Sequence, residues 1–340
     1  MDGKPLNNNH YAVLGSGSWG TALAILLANN NHDTTLWSHR QTQADTLEKD
    51  RANLKYIGNI KFPASLKISA DLEETINHAT HILIVVPSHS FRSLCQTLSP
   101  LIGPQHKVVW ASKGLETGSS KLLHQIAKEE FSASTPLAVI SGPTFAKEVA
   151  KGLPGAVTVA STSKDFALEL ANDFHSKTFR AYTSSDMIGV ELGGAVKNVM
   201  AIAAGIADGL GFGSNTRAAL IARGVTEMMR LGLKLGAQHD TFMGLTGLGD
   251  LVLTCSDNQS RNRRFGLALG KGETQQQALD EIQQVVEGRS TAKAVYQLAQ
   301  QSNIEMPIIE QVYNVIYENL DPKTAAQALM ERAIKSEIDS

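Results

Sequence analysis

Short apolar runs alternate with amphipathic stretches through the first half of the chain. The runs are apolar at nearly every position, a pattern typical of strands buried on both faces; they cover residues 11–14, 35–37, 81–86, 108–110, 137–140, 156–160 and 179–182. Helix-like stretches lie between them, at 21–29, 90–98, 122–131 and 165–174. Alternation of strand and helix predicts an α/β fold with a parallel sheet covered by helices.

The pattern changes near Asp186, after which apolar positions recur at helical spacing and β-branched runs are few. The clearest helical stretches are 218–235, 275–286, 291–301 and 324–334. We therefore expect two domains, a sheet domain over residues 1–186 and an all-helical domain over residues 187–340.

Composition excludes several classes of protein. Hydrophobic residues make up 42% of the chain and charged residues 19%, which excludes disorder over most of its length. Lysine and arginine number 31 against 33 acidic residues, a net charge of −2, so no global basic field attracts nucleic acid or an anionic membrane. A bound anion requires a local site.

The positions of the cysteines indicate the cellular compartment of the protein. Cys95 and Cys255 are far apart and form no C-x-x-C motif, which argues against disulfides and a thiolate metal site and favours a reducing cytoplasm. The histidines show no metal-ligand spacing, so no metal is predicted.

Residues 1–9 are polar, unlike a signal peptide, and we expect a frayed tail there. The apolar run 192–207 is short and contains Lys197, so no membrane span is predicted.

A glycine motif follows the first predicted strand. Gly15-Ser16-Gly17-Ser18-Trp19-Gly20 matches G-x-G-x-x-G between a strand and an Ala/Leu-rich helix. In this motif the first glycine (Gly15) permits a tight turn, the second (Gly17) lets backbone approach a pyrophosphate, and the third (Gly20) allows close helix–strand packing. The motif predicts dinucleotide binding; the alternative is an ordinary glycine-rich turn.

The turn after the second strand bears on cofactor choice. NAD-binding domains usually place an acidic residue there, whereas this chain has Trp37-Ser38-His39-Arg40. Ser38 cannot repel a 2′-phosphate, and His39 and Arg40 can donate to one, so the turn favours NADP over NAD. The alternative is a solvated arginine with no ligand.

Lys197 is the only charged residue between Glu191 and Asp208. Burial of its ammonium requires a partner or a lowered pKa, and a lowered pKa would suit an acid or base at a carbonyl. Gly193 and Gly194, one turn earlier, would let a ligand approach the helix. The alternative is a lysine that reaches solvent from a partly exposed helix.

Two later stretches concentrate polar groups. Residues 244–250 read as a flexible loop ending in Asp250, and residues 260–264 bring a hydroxyl, an amide and three guanidiniums together, enough to clamp a phosphate. The alternatives are a helix junction for the first, and a solvated face or a nucleic-acid patch for the second. Near-neutral charge and a lack of interleaved aromatics disfavour nucleic acid.

Taken in order, these motifs resemble the bacterial NAD(P)-dependent glycerol-3-phosphate dehydrogenase family from Gly15 to about Ala333. The matching segments are residues 15–24, Ser112-Lys113-Gly114-Leu115, 141–149, 191–198, 246–250, 260–262 and 285–288. The resemblance implies an N-terminal Rossmann-like domain, a C-terminal all-helical domain and an active site between them.

The resemblance also assigns residues. It places the dinucleotide on Ser18, Trp19, His39, Arg40, Lys113, Ala146, Arg261, Val285 and Glu287, beside the glycines Gly15, Gly17 and Gly20. It places substrate on Lys113, Gly142, Thr144, Lys197, Asp250, Ser260, Arg261 and Asn262. The implied catalytic residues are Lys197 as general acid/base, Lys113 and Asp250.

The implied reaction interconverts dihydroxyacetone phosphate and sn-glycerol 3-phosphate by hydride transfer with NADP, or less favourably NAD, and supplies glycerophospholipid synthesis. One alternative is another two-domain dehydrogenase, of the 6-phosphogluconate or β-hydroxyacid type. A second is a non-catalytic NADP-binding regulator. The sequence leaves the oligomeric state open, with a homodimer as one candidate.

Overall fold

The computed structural model describes residues 9–334 and 336, so most of the predicted N-terminal tail lies outside the described residues. Eight strands form a single sheet: β1 (His10–Leu14), β2 (Asp33–Trp37), β3 (Lys67–Ser69), β4 (His81–Ile84), β5 (Lys107–Trp110), β6 (Leu137–Ser141), β7 (Gly155–Ser161) and β8 (Phe179–Ser184). Their spatial order is β3-β2-β1-β4-β5-β6-β7-β8. The predicted α/β fold is confirmed.

The first six strands are parallel and follow the doubly wound order of dinucleotide-binding folds. The order reverses between β1 and β4, so a crevice opens at the carboxyl edge of the sheet at that point. β7 departs from the predicted parallel arrangement, because it pairs antiparallel with β6 and parallel with β8.

Seventeen α-helices occur in the described part of the chain. The sheet region contains α1 (Ser18–Asn29), α2 (Gln41–Asp50), α3 (Leu54–Ile57), α4 (Leu72–Asn77), α5 (Phe91–Leu98), α6 (Leu123–Glu130), α7 (Ala146–Ala150) and α8 (Lys164–Phe174). The remainder contains α9 (Met187–Gly209), α10 (Ser214–Lys234), α11 (His239–Met243), α12 (Asp250–Ser256), α13 (Arg261–Gly270), α14 (Gln275–Ile282), α15 (Glu287–Gln301), α16 (Pro307–Tyr317) and α17 (Pro322–Met330).

The central element of the helical region is α9. Its N-terminus is capped by Asp186, whose carboxylate accepts a hydrogen bond from the Gly189 N–H at 2.9 Å. The helix packs against α10, α12, α13 and α15. By length and hydropathy α9 could span a membrane, but 94% of its most apolar window is buried inside the fold, the environment of a core helix.

Several predicted boundaries were wrong. The stretch 275–286 ends as a helix at Ile282, because Gln283 adopts a left-handed conformation with φ of 50°. The stretch 324–334 leaves the helix after Met330. The strand predicted over 81–86 ends at Ile84, and Pro87 follows shortly after. β3 was missed entirely.

Candidate active site

The glycine turn has the shape that its sequence predicts. Gly15 has φ of +125°, a conformation that favours glycine. A Cβ on Gly20 would lie 1.9 Å from the Gly15 carbonyl oxygen, so only glycine fits there. A Cβ on Gly17 would meet nothing within 4 Å, and Gly17 offers no side-chain cap to α1. Open space therefore faces uncapped N–H groups, an arrangement that suits a diphosphate.

The turn after β2 combines a buried serine with an exposed histidine and an exposed arginine. Ser38 is fully buried, and its Oγ has no hydrogen-bond partner. His39 and Arg40 are exposed at the surface. Because β1 and β2 are parallel neighbours, this turn lies at the same edge of the sheet as the glycine turn.

The next parallel strands bring further predicted residues to this edge. Lys113 follows β5, and its Nζ donates to the carbonyl oxygen of Gly142, just after β6, at 3.2 Å. Gly142 has φ of +155°, and a Cβ there would lie 2.9 Å from the Ala156 carbonyl oxygen. The Thr144 hydroxyl donates to the same Gly142 carbonyl at 3.2 Å. The structure thus brings these three predicted residues together at this edge.

One carboxylate joins the sheet region to the helical region. Asp250 is fully buried; its Oδ1 lies 2.5 Å from Lys197 Nζ, and its Oδ2 lies 2.9 Å from Lys113 Nζ. Two lysines from different parts of the chain thus share one acid. Their exposures are low, with the Lys197 side chain 7% exposed and the Lys113 side chain 12% exposed.

Burial lowers the pKa of Lys197 to about 8, against an ordinary value near 10.5. The Asp250 carboxylate opposes this shift, whereas the positive charge of Lys113 adds to it. A pKa near neutrality lets the side chain give a proton as the ammonium and accept one as the neutral amine. The alternative of a lysine reaching solvent is wrong, because Lys197 is paired and enclosed.

The stretch before Asp250 is ordered helix rather than the flexible loop that its glycines suggested. Residues Leu245–Gly249 form a wide π-helical turn, in which the Gly249 N–H donates to the Gly244 carbonyl at 3.1 Å. The Thr254 hydroxyl donates to the Asp250 backbone oxygen at 2.6 Å and lies 3.3 Å from Oδ1. Asp250 is therefore held rigidly at the start of α12.

The paired glycines of α9 serve protein packing rather than ligand approach. A Cβ on Gly193 would lie 2.3 Å from the Thr246 carbonyl oxygen. A Cβ on Gly194 would lie 2.7 Å from Ser141 Oγ. The expectation that they leave room for a ligand was wrong, because backbone and side chains of the π-helical turn and β6 already occupy that space.

The polar cluster at 260–264 divides into two groups. Asn262 lies next to the lysine site, because its Nδ2 donates to Oδ1 of Asn198, the neighbour of Lys197, at 2.9 Å. Ser260 caps α13 by accepting from the Arg263 N–H at 3.2 Å, and Arg261 contacts Gln284 Oε1 at 3.3 Å.

Arg263 belongs to the second group, since its guanidinium is buried against Asp208, the Cys255 carbonyl and Asn258. The expected clamp of three arginines is therefore wrong for Arg263. Asn198 was not singled out by the sequence reasoning, although it directly follows Lys197.

The remaining predicted cofactor residues begin helices or flank them. Ala146 begins α7, and Glu287 begins α15 just after the exposed Val285. Burial raises the pKa of Glu287, while the charges of Arg261, Lys113 and Lys197 pull it down. Glu287 thus shares the electrostatic environment of the lysine site.

Other features of the described residues lie apart from this site. No group of three or more His, Cys, Asp or Glu side chains there is arranged to hold a metal ion. A cavity of about 600 Å³ opens between α9, α10, α16 and α17, with walls that include Ile206, Leu220 and Val312. It contains none of the predicted site residues.

Comparison with known proteins identifies the family of the chain. Residues 10–167 match the model described as "NAD-dependent glycerol-3-phosphate dehydrogenase N-terminus", and residues 186–327 match the corresponding C-terminus model. The chain belongs to this family. It is 54% identical over 326 residues to "Glycerol-3-phosphate dehydrogenase [NAD(P)+]" of Pseudoalteromonas translucida, which covers 96% of this chain and 97% of that protein.

Two further relatives extend the comparison. The protein of the same name from Aeromonas hydrophila is 54% identical over 327 residues, covering 96% of this chain and 98% of its own length. The crystal structure of glycerol-3-phosphate dehydrogenase from Coxiella burnetii superposes with a TM-score of 0.93 at 48% identity. That match covers 96% of this chain and all of the crystallised chain.

Proposed function

We propose that this family member interconverts dihydroxyacetone phosphate and sn-glycerol 3-phosphate with NADP or NAD. One observation carries the proposal: Lys197 and Lys113 meet on the buried Asp250, beside the carboxyl edge of a doubly wound sheet. Family membership and the names of the close relatives support the same reaction. An intact reaction centre disfavours a non-catalytic NADP-binding regulator.

Lys197 is the proposed general acid/base. Reduction of the C2 carbonyl creates alkoxide character on its oxygen, and a lysine with a pKa of about 8 holds a proton for that oxygen at neutral pH. In the reverse direction the neutral amine accepts the hydroxyl proton. Asp250 orients Lys197, and Lys113 supplies a second positive charge that draws the carbonyl oxygen into place.

The open glycine turn fits the cofactor. Gly15, Gly17 and Gly20 with the N–H groups of Ser18 and Trp19 are the proposed diphosphate site. Further proposed contacts come from His39, Arg40, Lys113, Ala146, Arg261, Val285 and Glu287. When bound there, the nicotinamide supplies or accepts the hydride. His39 and Arg40 favour NADP, because both can donate to a 2′-phosphate.

The substrate phosphate is proposed to bind at the start of α13. Ser260, Arg261 and Asn262 offer a hydroxyl, a guanidinium and an amide at a helix N-terminus, which favours an anion. Gly142 and Thr144 are proposed to contact the substrate from the sheet side, since the Gly142 carbonyl accepts from both Lys113 and Thr144. Binding the remote phosphate fixes C2 beside the lysine site.

Three wider expectations accompany this function. We propose that the chain divides at Asp186 into a dinucleotide-binding domain, 1–186, and a helical domain, 187–340. A cytoplasmic location is proposed from the free, buried Cys95 and Cys255. A homodimer stays a prediction.

The direct test follows NADPH absorbance. Purified protein should oxidise NADPH when dihydroxyacetone phosphate is added, and much more slowly with unphosphorylated dihydroxyacetone. In the reverse assay it should not reduce NADP+ with 6-phosphogluconate or with β-hydroxyacids. Lys197→Met should lower turnover by about 10²- to 10⁴-fold yet still bind NADPH. Binding of NADPH without turnover by the wild-type protein would instead support the regulator.

A further inference from the structure

Glu191 is a buried carboxylate that neither lysine contacts. It lies on α9, six residues before Lys197, which corresponds to about 9 Å along the helix axis. Only 5% of the residue is exposed. A buried carboxylate is costly unless its oxygens are hydrogen-bonded, so its partners define its role.

Three donors from the sheet region converge on this carboxylate. Oε1 accepts from the Trp110 indole Nε1–H at 3.0 Å and from the His124 backbone N–H at 2.8 Å. Oε2 lies 2.5 Å from His124 Nδ1. Trp110 ends β5, three residues before Lys113, and His124 lies in the first turn of α6. One side chain thus fixes α9 to the strand that leads to Lys113.

The glycine contacts of α9 in this region set its distance from its neighbours but not its position along its own axis. Gly193 and Gly194 pack closely against Thr246 and Ser141, which brings the helix near its neighbours. Van der Waals contacts of this kind have little directionality, whereas hydrogen bonds weaken steeply with misalignment. The Glu191 bonds are therefore the directional contacts that join α9 directly to β5 and α6, whereas Lys197 is linked to Lys113 through Asp250.

We propose that Glu191 is a positioning residue that sets the separation of Lys197 and Lys113 around Asp250. The inference rests on the proposed function, since it matters only if the two lysines act together. A displacement of α9 by about 1 Å suffices to cost about 100-fold in rate. Glu191 itself touches neither the lysines nor Asp250, so it acts through the backbone of α9.

The test compares Glu191→Leu with Glu191→Gln in NADPH-dependent reduction of dihydroxyacetone phosphate. Leucine removes all three bonds; glutamine keeps the Oε1 acceptor and can donate to His124 Nδ1 in the other tautomer. We expect Glu191→Leu to lower kcat about 10- to 100-fold with KM within about threefold of wild type. In Glu191→Leu, the pH at which the reduction rate falls to half of its maximum should move down by half a unit or more. Glu191→Gln should retain most of the wild-type kcat.

Glu227→Leu is the matched control. Glu227 is an equally buried carboxylate of the helical region, and it accepts from the N–H groups of Ile308 and Ile309 at the start of α16. Its loss should lower the melting temperature but leave kcat and the pH profile unchanged. Wild-type kcat and pH profile in Glu191→Leu, or equal losses in the leucine and glutamine variants, would overturn the positioning role.

Trp110→Phe covers the case in which Glu191→Leu fails to fold. It keeps an aromatic ring in the core, so the protein should still fold. Because it removes one of the three bonds to Glu191, kcat should fall about threefold or more without a matching rise in KM. An unchanged kcat in this variant would count against the proposal. Failure of the wild-type protein to reduce dihydroxyacetone phosphate would instead refute the proposed function, which separates the two outcomes.

Discussion

Neutralising Asp250 should move the pH profile of the enzyme by a predictable amount. Asp250→Asn keeps the size and shape of the side chain but removes the charge that stabilises the Lys197 ammonium. At a charge separation of about 4 Å and an effective dielectric constant of about 20, that attraction is about 4 kcal/mol. Since one pKa unit corresponds to about 1.4 kcal/mol, the upper limit is a fall of about 3 units.

The direction of the change follows from which form of Lys197 each reaction needs. Reduction requires the ammonium, so wild-type kcat/KM should fall as pH rises through about 8, the pKa of Lys197. In Asp250→Asn this fall should occur between about pH 5 and 7. At pH 7 the protonated fraction, and with it the rate, should then drop up to about 100-fold.

The assay is NADPH absorbance decay with dihydroxyacetone phosphate, recorded from pH 5 to 10 in buffers of constant ionic strength. Thr254→Val is the control, because it removes a hydrogen bond to Asp250 but keeps the charge; its profile should shift by less than about half a unit. If the fall in Asp250→Asn stays near pH 8, Lys197 is not the acid that limits reduction. Lys113 would then be the next candidate for that acid.

Three further predictions address other parts of the site. Lys197→Met should lower kcat by about 10²- to 10⁴-fold. Its circular dichroism spectrum and its NADPH binding should stay as in wild type, because Asp250 keeps Lys113 as a partner. Retention of a tenth of wild-type turnover would exclude Lys197 as the acid. Arg261→Ala should weaken use of dihydroxyacetone phosphate by about 1.5 to 3 kcal/mol, measured as kcat/KM, but spare unphosphorylated dihydroxyacetone; equal losses would assign Arg261 to the cofactor. Arg40→Ala should reduce the NADPH preference over NADH, expected at about 10- to 150-fold and smaller at high salt; an unchanged ratio would show that Arg40 does not contact the 2′-phosphate.

Sequence reasoning succeeded where local pattern and tertiary environment agree. The buried strands and the glycine turn were found because apolar runs and G-x-G-x-x-G depend on neighbouring residues alone. β3 was missed because Lys67–Ser69 is a short, partly exposed edge strand without an apolar run. The antiparallel direction of β7 leaves no local signal, since direction depends on how the chain returns to the sheet.

Side-chain partners across the fold were the harder part of the candidate site. Lys197 was found because an isolated charge in an apolar helix is visible in the sequence, yet its sharing of Asp250 with Lys113 joins residues far apart along the chain. Arg261 and Arg263 look equivalent in sequence. Helical rotation separates them, so that Arg263 meets Asp208 in the core instead of facing the site.

The proposed acid/base sits on α9, the most deeply buried of the described helices, and this affects how the protein should lose activity. Amides in the middle of such a helix exchange with solvent mainly through global opening, whereas those of loops and termini exchange through local fluctuations. The backbone around Lys197 therefore belongs to the last part of the structure to open. Heat inactivation and cooperative unfolding should therefore occur together. The turnover that remains after heating should be proportional to the fraction of molecules that are still folded.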